Sequence, residues 1–280
     1  MSDAPNAQQA TYWNEGAGPT WADLQVPLDR QLAPLGHAAM AALSPKSGER
    51  ILDIGCGAGD TSLELARMVA PDGRVTGADI SHTLLEVARR RTGGQAGVRF
   101  VEADVQTYGF EPSGFDAVFS RFGVMFFADP TAAFANIRRA LKPDGRLAFV
   151  CWRTPAENPI MSLPMAAALA ALPSSATAPP PAPGAPGPFA FADPDRVRGI
   201  LAEAGFSDVV LAPTDMKVGG GDLETVLAMS LKIGPLGALL REHPGHREGA
   251  VEAVRQALAA HNGPDGVKLG SATWVVTARA

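Results

Sequence analysis

The chain has 280 residues, 46% of them hydrophobic and 19% charged, with a formal net charge of −5, which suits one large domain or one domain with an elaborated cap. The acidic balance argues against nucleic acid as the main partner. No apolar run reaches the roughly 18 residues needed to span a bilayer, so no membrane insertion is expected. The N-terminus Met-Ser-Asp-Ala-Pro lacks the basic region and apolar core of a signal peptide, and Cys56 and Cys151, both in apolar strand-end contexts, read as the reduced thiols of a cytoplasmic protein.

Residues 1–10 read as disordered. Residues 11–21 then place Tyr12, Trp13 and Trp21 around a Gly/Pro turn, in a chain with only 4 Trp and 2 Tyr. Rings that large stay in place only where they bury area, either as an anchor onto the domain or as a lid over a ligand. Residues 24–43 read as helical with interruptions near Pro27 and Pro34, so 1–48 forms an N-terminal helical and aromatic segment. Residues 45–49 turn into a first strand at 51–54.

Glycine follows at 55, 57 and 59, and a helix-like run begins at Thr61. Strand, glycine turn and helix start make a nucleotide-binding element. Glycine lets the backbone approach a ligand closely, and the helix offers unpaired N–H groups at its positive end. The third glycine comes one residue early for the dinucleotide fingerprint, and no Lys-Ser/Thr pair follows as in a phosphate loop. Asp53, at the strand end, repels a pyrophosphate and favours a cationic ligand.

A second strand at 74–80 ends in Asp79, 20 residues beyond Gly59, the spacing of a carboxylate that accepts from ribose hydroxyls. Ser81 caps a helix over 82–91, whose terminal Arg89-Arg90-Arg91 suits the negative dipole end. A third strand, 98–105, brings Asp104 to the same sheet edge, and strands four (115–120) and five (146–152) flank a helix over 131–141. Residues 173–188 hold seven prolines and read as an extended surface loop. A capped helix at 193–205 leads to strand six at 206–211, a helical insertion spans 222–261, and the last strand is 271–278.

The Asp53-x-Gly55-x-Gly57-x-Gly59 turn resembles motif I of the class I S-adenosylmethionine (SAM) methyltransferases. The segment 121–130 after strand four and the run Leu141-Lys-Pro-Asp-Gly-Arg-Leu147 resemble the ubiquinone/menaquinone-biosynthesis type of that family. The likeness is strong over 49–152, moderate at 193–215 and weak elsewhere. It implies an α/β, Rossmann-like, doubly wound sheet of seven strands, mostly parallel with the last strand antiparallel and next to strand six, plus a helical cap. The methyltransferase domain is then 49–280, with cap insertions at about 155–190 and 222–262. SAM is the implied cofactor. Its contacts come from Asp53, Gly55, Cys56, Gly57 and Gly59 of the first turn, and from Asp79 and Ile80 after strand two. Asp104 and Val105 follow strand three, where the family binds the adenine amino group, and Ser120 and Arg121 end strand four. Tyr12 and Trp13 add the N-terminal segment.

A small-molecule acceptor of apolar or aromatic character is expected among Trp21, Phe122, Met125, Phe126, Trp152 and Met161. The sulfonium needs no general base when the nucleophile arrives deprotonated, and no base pattern is evident among the scattered His37, His82, His243, His246 and His261. No metal-ligand set is evident either, and no catalytic residue is assigned. Arg121 has three open roles: the SAM carboxylate, a substrate anion, or an ion pair with Asp116 or Asp129. The competing functions are an NAD(P)-linked oxidoreductase, disfavoured by the glycine spacing and Asp53, and a non-catalytic SAM-binding scaffold.

Overall fold

The computed structural model describes residues 5–177 and 184–280. Five parallel strands carry the frame: β1 (Arg50–Ile54), β2 (Arg74–Asp79), β3 (Val98–Glu102), β4 (Phe115–Arg121) and β5 (Leu141–Trp152). They are joined by β6 (Ser207–Gly221), the two-residue β7 (Asn262–Gly263) and β8 (Gly266–Arg279). The order is β3-β2-β1-β4-β5-β8-β6, with β7 pairing only to β8, and β8 runs antiparallel to both its neighbours. The sheet is thus the expected doubly wound one with an antiparallel last strand, at eight strands rather than seven. Ile51, Leu52 and Ile54 of central β1 are all at most 1% exposed, as a strand covered on both faces demands.

Strands β3, β5 and β8 differ from the sequence reading by a few residues at their ends, and three larger differences bear on the fold. Ala7–Thr11 is helical (α1), and Asn6 before it is buried; the disorder expected for 1–10 is therefore wrong from residue 5 onward, and residues 1–4 lie outside the described residues. After α2 (Ala17–Asp23), α3 runs unbroken over Gln25–Leu43. Pro27 falls in its first turn, where N–H groups lack partners anyway, and Pro34 is held inside the helix by flanking Leu32 and Leu35 in the core. Finally, β6 extends to fifteen residues through Pro213 and three glycines. Its register with β8, from Ser207↔Arg279 to Gly221↔Val267, satisfies a backbone whose own residues favour other conformations.

Helices α4 (Asp60–Val69) and α5 (His82–Arg91) follow β1 and β2, and α6 (Pro130–Ala140) and α8 (Pro194–Glu203) follow β4 and the cap segment. Asp129 caps α6 by accepting from Ala132 N at 3.0 Å, with Pro130 at the first helical position. Phe134 of α6 is fully buried, with ring centroids of Phe127, Phe149, Phe191 and Phe206 all within 6.2 Å.

A second core lies in the cap. There α7 (Pro159–Ala170), α9 (Leu223–Lys232), α10 (Pro235–Glu242) and α11 (Arg247–Ala259) bury Ala168, Leu227, Leu240, Val254 and Leu258 with Val267 and Leu269 of β8. Among the described residues no single helix is long and apolar enough to cross a membrane. The proline-rich stretch is not wholly a surface loop. Leu172 and Ala176 join the cap core, and on the far side Gly187 N donates to Met125 O at 3.1 Å while Phe191 enters the main core. Residues 178–183 lie outside the described residues.

Truncating Phe134 removes the ring on which four others converge. Phe134→Ala is expected to cost about 3–5 kcal/mol, read as a lowered midpoint with an unchanged slope in urea unfolding.

Candidate active site

The three glycines after β1 do different work. A Cβ on Gly55 (φ 63°) would lie 2.6 Å from Gly123 Cα, and one on Gly123 would lie 2.8 Å from Gly55 Cα. The turn after β1 and the chain leaving β4 therefore meet backbone to backbone. Ser120 seals this contact by donating to Ile54 O at 2.7 Å and accepting from Gly123 N at 3.2 Å. Gly59 (φ 84°) makes room for packing, since its Cβ would meet Phe100 at 2.8 Å and Ala88 at 2.9 Å. Gly57 (φ 51°) differs: its nearest neighbour would be Leu84 Cδ1 at 3.9 Å. One glycine of the turn thus faces space that the protein does not fill, at the carboxyl end of β1 beside Asp79 of β2, the edge at which ligands of such sheets bind.

Two buried carboxylates end β1 and β2 beside the turn. Asp53 accepts from Thr61 Oγ1 (2.7 Å) and Ser62 Oγ (2.6 Å) through Oδ2, while its buried Oδ1 has no protein partner. Burial pushes its carboxyl up to about 6, against the two hydroxyl bonds and the Arg121 charge. Asp79 is 8% exposed and accepts from Gly57 N (2.7 Å) and Ser81 N (2.8 Å), one to each oxygen. Burial raises its carboxyl as well, with backbone N–H groups opposing. Each oxygen keeps lone pairs for a further donor. Cys56 lies buried beside them, its thiol pushed well above its ordinary value by burial and then by the Asp79 and Asp53 charges, so it is no nucleophile.

The N-terminal segment docks across this edge. Trp13 O accepts from Ser81 Oγ at 2.7 Å, Asn14 Nδ2 donates to Ile80 O at 3.3 Å, and Asn14 O accepts from Thr83 Oγ1 at 3.3 Å. The Trp13 ring meets Tyr12, Trp21 and Phe126 edge-on, with centroids 5.2–5.5 Å apart. Tyr12 itself stays 47% exposed. Asn6 donates to Asp104 Oδ1 at 2.8 Å and accepts from Ala128 N at 2.8 Å. Asp104 lies just past the end of β3, and Val105 beside it is buried.

Arg121 pairs with neither Asp116 nor Asp129. Asp116 takes Lys142 and Arg50 N, and Asp129 caps α6. Arg121 instead closes a ring of four charges. It reaches Asp29 at 3.0 Å and Asp60 at 3.1 Å, and Arg91 reaches the same two at 2.8 and 3.3 Å. The ring ties α3, the start of α4, the end of α5 and β4 together behind the glycine turn. Arg91 also donates to Ala58 O inside the turn at 2.9 Å. The Asp29 carboxyl is raised by burial first and by Asp60 next, with both arginines opposing.

The residues expected around an acceptor separate into two groups. Phe126 and Trp21 join the aromatic cluster with Trp13, and Met161 packs partly buried against the main core. Phe122 and Trp152 stack on each other at 4.2 Å and 9° and are both buried, as is Met125. Phe122 has φ 63°, an uncommon conformation for a bulky residue. Sequence reasoning missed Gly123, Ser81, Asn6 and the partners of Arg121. Gly123 carried a signal, being a lone glycine just after a strand; the others depend on long-range contact.

Comparison with known proteins bears on the family and the fold. Residues 51–145 match the family described as methyltransferase domain. A demethylmenaquinone methyltransferase of Clavibacter sepedonicus is 40% identical over 118 residues, 42% of this chain and 47% of that protein. One from Staphylococcus aureus is 36% identical over 115 residues, 41% and 47%. The match thus spans about half the length of these curated relatives. Among solved structures, the YcgJ protein of Bacillus subtilis superposes with a TM-score of 0.57 at 17% identity, covering 89% of this chain and 97% of that one. A phosphoethanolamine N-methyltransferase of Haemonchus contortus, in complex with phosphomonomethylethanolamine and S-adenosylhomocysteine, gives 0.53 at 22% identity, covering 88% and 52%.

The raised Asp53 carboxyl fixes a pH dependence. Its folded value of about 6 exceeds the ordinary 3.8, so its contribution to stability is fully present below 3.8 and is lost as pH rises through 6. Asp53→Asn lacks that contribution. The stability of the variant relative to the parent is therefore expected to rise between pH 4 and 6 and to level off above about pH 7. Urea unfolding of both proteins across this range checks it, and a difference that does not vary with pH would show an ordinary carboxyl.

Proposed function

We propose that the chain, whose residues 51–145 match the methyltransferase-domain family, transfers the methyl group of S-adenosylmethionine to a small apolar or aromatic acceptor. The observation that carries this is the space beside Gly57, where Gly57 N meets Asp79, together with the buried Oδ1 of Asp53 that has no protein partner. The donor set fits a cationic nucleoside. The lone pairs left on Asp79 suit ribose hydroxyls, and the free oxygen of Asp53 suits an ammonium, directly or through water. When bound, the sulfonium would supply an electrophilic methyl carbon, with a neutral thioether as the leaving group once the methyl passes to the acceptor. The protein then has to hold the acceptor atom in line and exclude water.

In this reading Gly57 allows close approach, and the Trp13–Trp21–Phe126 cluster shields the reacting centre. The acceptor lies on the side of Phe126 and Met161, and its apolar character follows from those residues. That the relatives are named for a demethylmenaquinone substrate supports a quinone-like ring. The decisive experiment is transfer of labelled methyl from S-adenosylmethionine into a metabolite extract, followed by identification of the labelled product. No transfer to any acceptor, with S-adenosylhomocysteine still bound, would leave a binding protein in place of an enzyme.

Two variants test the cofactor contacts. Asp79→Ala is expected to weaken S-adenosylhomocysteine binding by about 1.5–3 kcal/mol, the scale of hydrogen bonds to a charged group, in calorimetry on folded protein. Gly57→Val, whose side chain would enter the open space, should abolish binding with the fold retained.

The N-terminal segment acts as the lid. Asn6 donates to the Asp104 oxygen that the adenine amino group is proposed to take, so cofactor entry displaces Asn6 and rearranges the segment. Limited proteolysis is expected to change near residues 5–16 when S-adenosylhomocysteine is added, and deletion of 1–21 should lower turnover severely with the core still folded. An unchanged cleavage pattern and full activity after deletion would make the segment an anchor only.

A further inference from the structure

A second cavity, of about 360 Å³, lies away from the glycine turn, where the end of α2 faces the cap helices α9, α10 and α11. Three cations line it: Lys232 at the end of α9, Arg241 in the last turn of α10 and Arg247 at the start of α11. None of the three forms an ion pair among the described residues, whereas Arg153, Arg198 and Arg255, also on the surface, each do. Asp23 is the one acid in the lining. Three positive charges against one negative leave a local surplus of two in a chain whose net charge is −5.

Lys232 and Arg241 have an ordinary reason to be where they are, since a cation at a helix C-terminus is favoured by the dipole. Arg247 has the opposite setting. It opens the thirteen-residue α11, where the dipole disfavours a cation, and that helix end has no side-chain cap. The Arg247 N–H is taken by Pro244 O, so the demand comes from the side chains: three cations without ion pairs on one cavity call for the same missing partner, an anion. Leu231 and the buried Leu240 form an apolar wall of the same cavity.

From these features we infer that the cavity is a binding site for a phosphate or carboxylate group carried on an apolar body. Arg247 and Arg241 take the anionic group, Lys232 adds charge, and the leucines take the hydrocarbon. The site sits on the outer side of the lid: α2 presents Trp21 to Trp13 in the aromatic cluster, and Asp23 two residues later to the cavity. The inference stands on the cavity alone and does not depend on methyl transfer.

Calorimetric titration of the full chain with hexyl phosphate and with inorganic phosphate tests it. Hexyl phosphate is expected to bind saturably and at least tenfold more tightly than inorganic phosphate. Arg247→Gln and Arg241→Gln should each weaken hexyl phosphate at least tenfold, with unchanged far-UV circular dichroism and urea midpoint. Equal affinity for the two phosphates would overturn the apolar part of the assignment. The absence of saturable binding by either, or binding unchanged in both variants, would overturn the site.

Discussion

Where the turn after β1 passes the chain leaving β4, there is no room for one carbon atom beyond the two backbones. Gly55 and Gly123 sit face to face, and the Ser120 hydroxyl bridges Ile54 O and Gly123 N beside them. Sterics of this kind are absolute in a way that hydrogen bonds are not: a Cβ at 2.6 Å forces backbone apart, and both strands belong to the centre of the sheet. Much follows from the contact. It sends the turn outward so that Gly57 faces open space, and it brings the Asp79 carboxylate within reach of Gly57 N. It also coincides with a left-handed Phe122, stacked on Trp152 and holding Val150 O through its own N–H.

Behind the turn, the ring formed by Arg121, Asp29, Arg91 and Asp60 supports the same geometry by a different means. Each carboxylate takes two guanidinium groups and each guanidinium takes two carboxylates. Removing four charges from water costs several kcal/mol per ion before pairing returns it, so the ring is weak as a source of stability. Its effect is registration. It allows one placement of α3 relative to the turn, and α3 continues directly from the segment that lies across the site.

The sheet frame and the glycine turn were legible because their signals are local. An apolar run followed by Gly55, Gly57 and Gly59 reads the same way in any context, and Asp79 at 20 residues' distance is fixed by the length of one βα unit. Arg121 was not legible, because its partners Asp29 and Asp60 lie 92 and 61 positions away and no pattern in the sequence joins them; the nearer Asp116 and Asp129 were the natural but wrong candidates. Residues 5–10 looked disordered because the Asn6 contacts to Asp104 and Ala128 lie about a hundred positions distant. The outer half of β6 was missed for a related reason: Pro213 and Gly219-Gly220-Gly221 oppose a strand, and only β8, far along the chain, overrides them.

The place of β8 between β5 and β6 has a consequence during synthesis. β5 ends at residue 152 and β8 begins at 266, so 113 residues are made before the strand that joins the two halves of the sheet appears. At the pace of a bacterial or eukaryotic ribosome this interval is roughly 6–23 s. Throughout it the nascent chain presents one long edge of β5, running through Leu147, Phe149 and Val150, with no pairing partner. Such an edge adheres to any extended peptide it meets. The same topology that buries the last strand in the finished protein makes the unfinished one a client for whatever factors attend the ribosome exit.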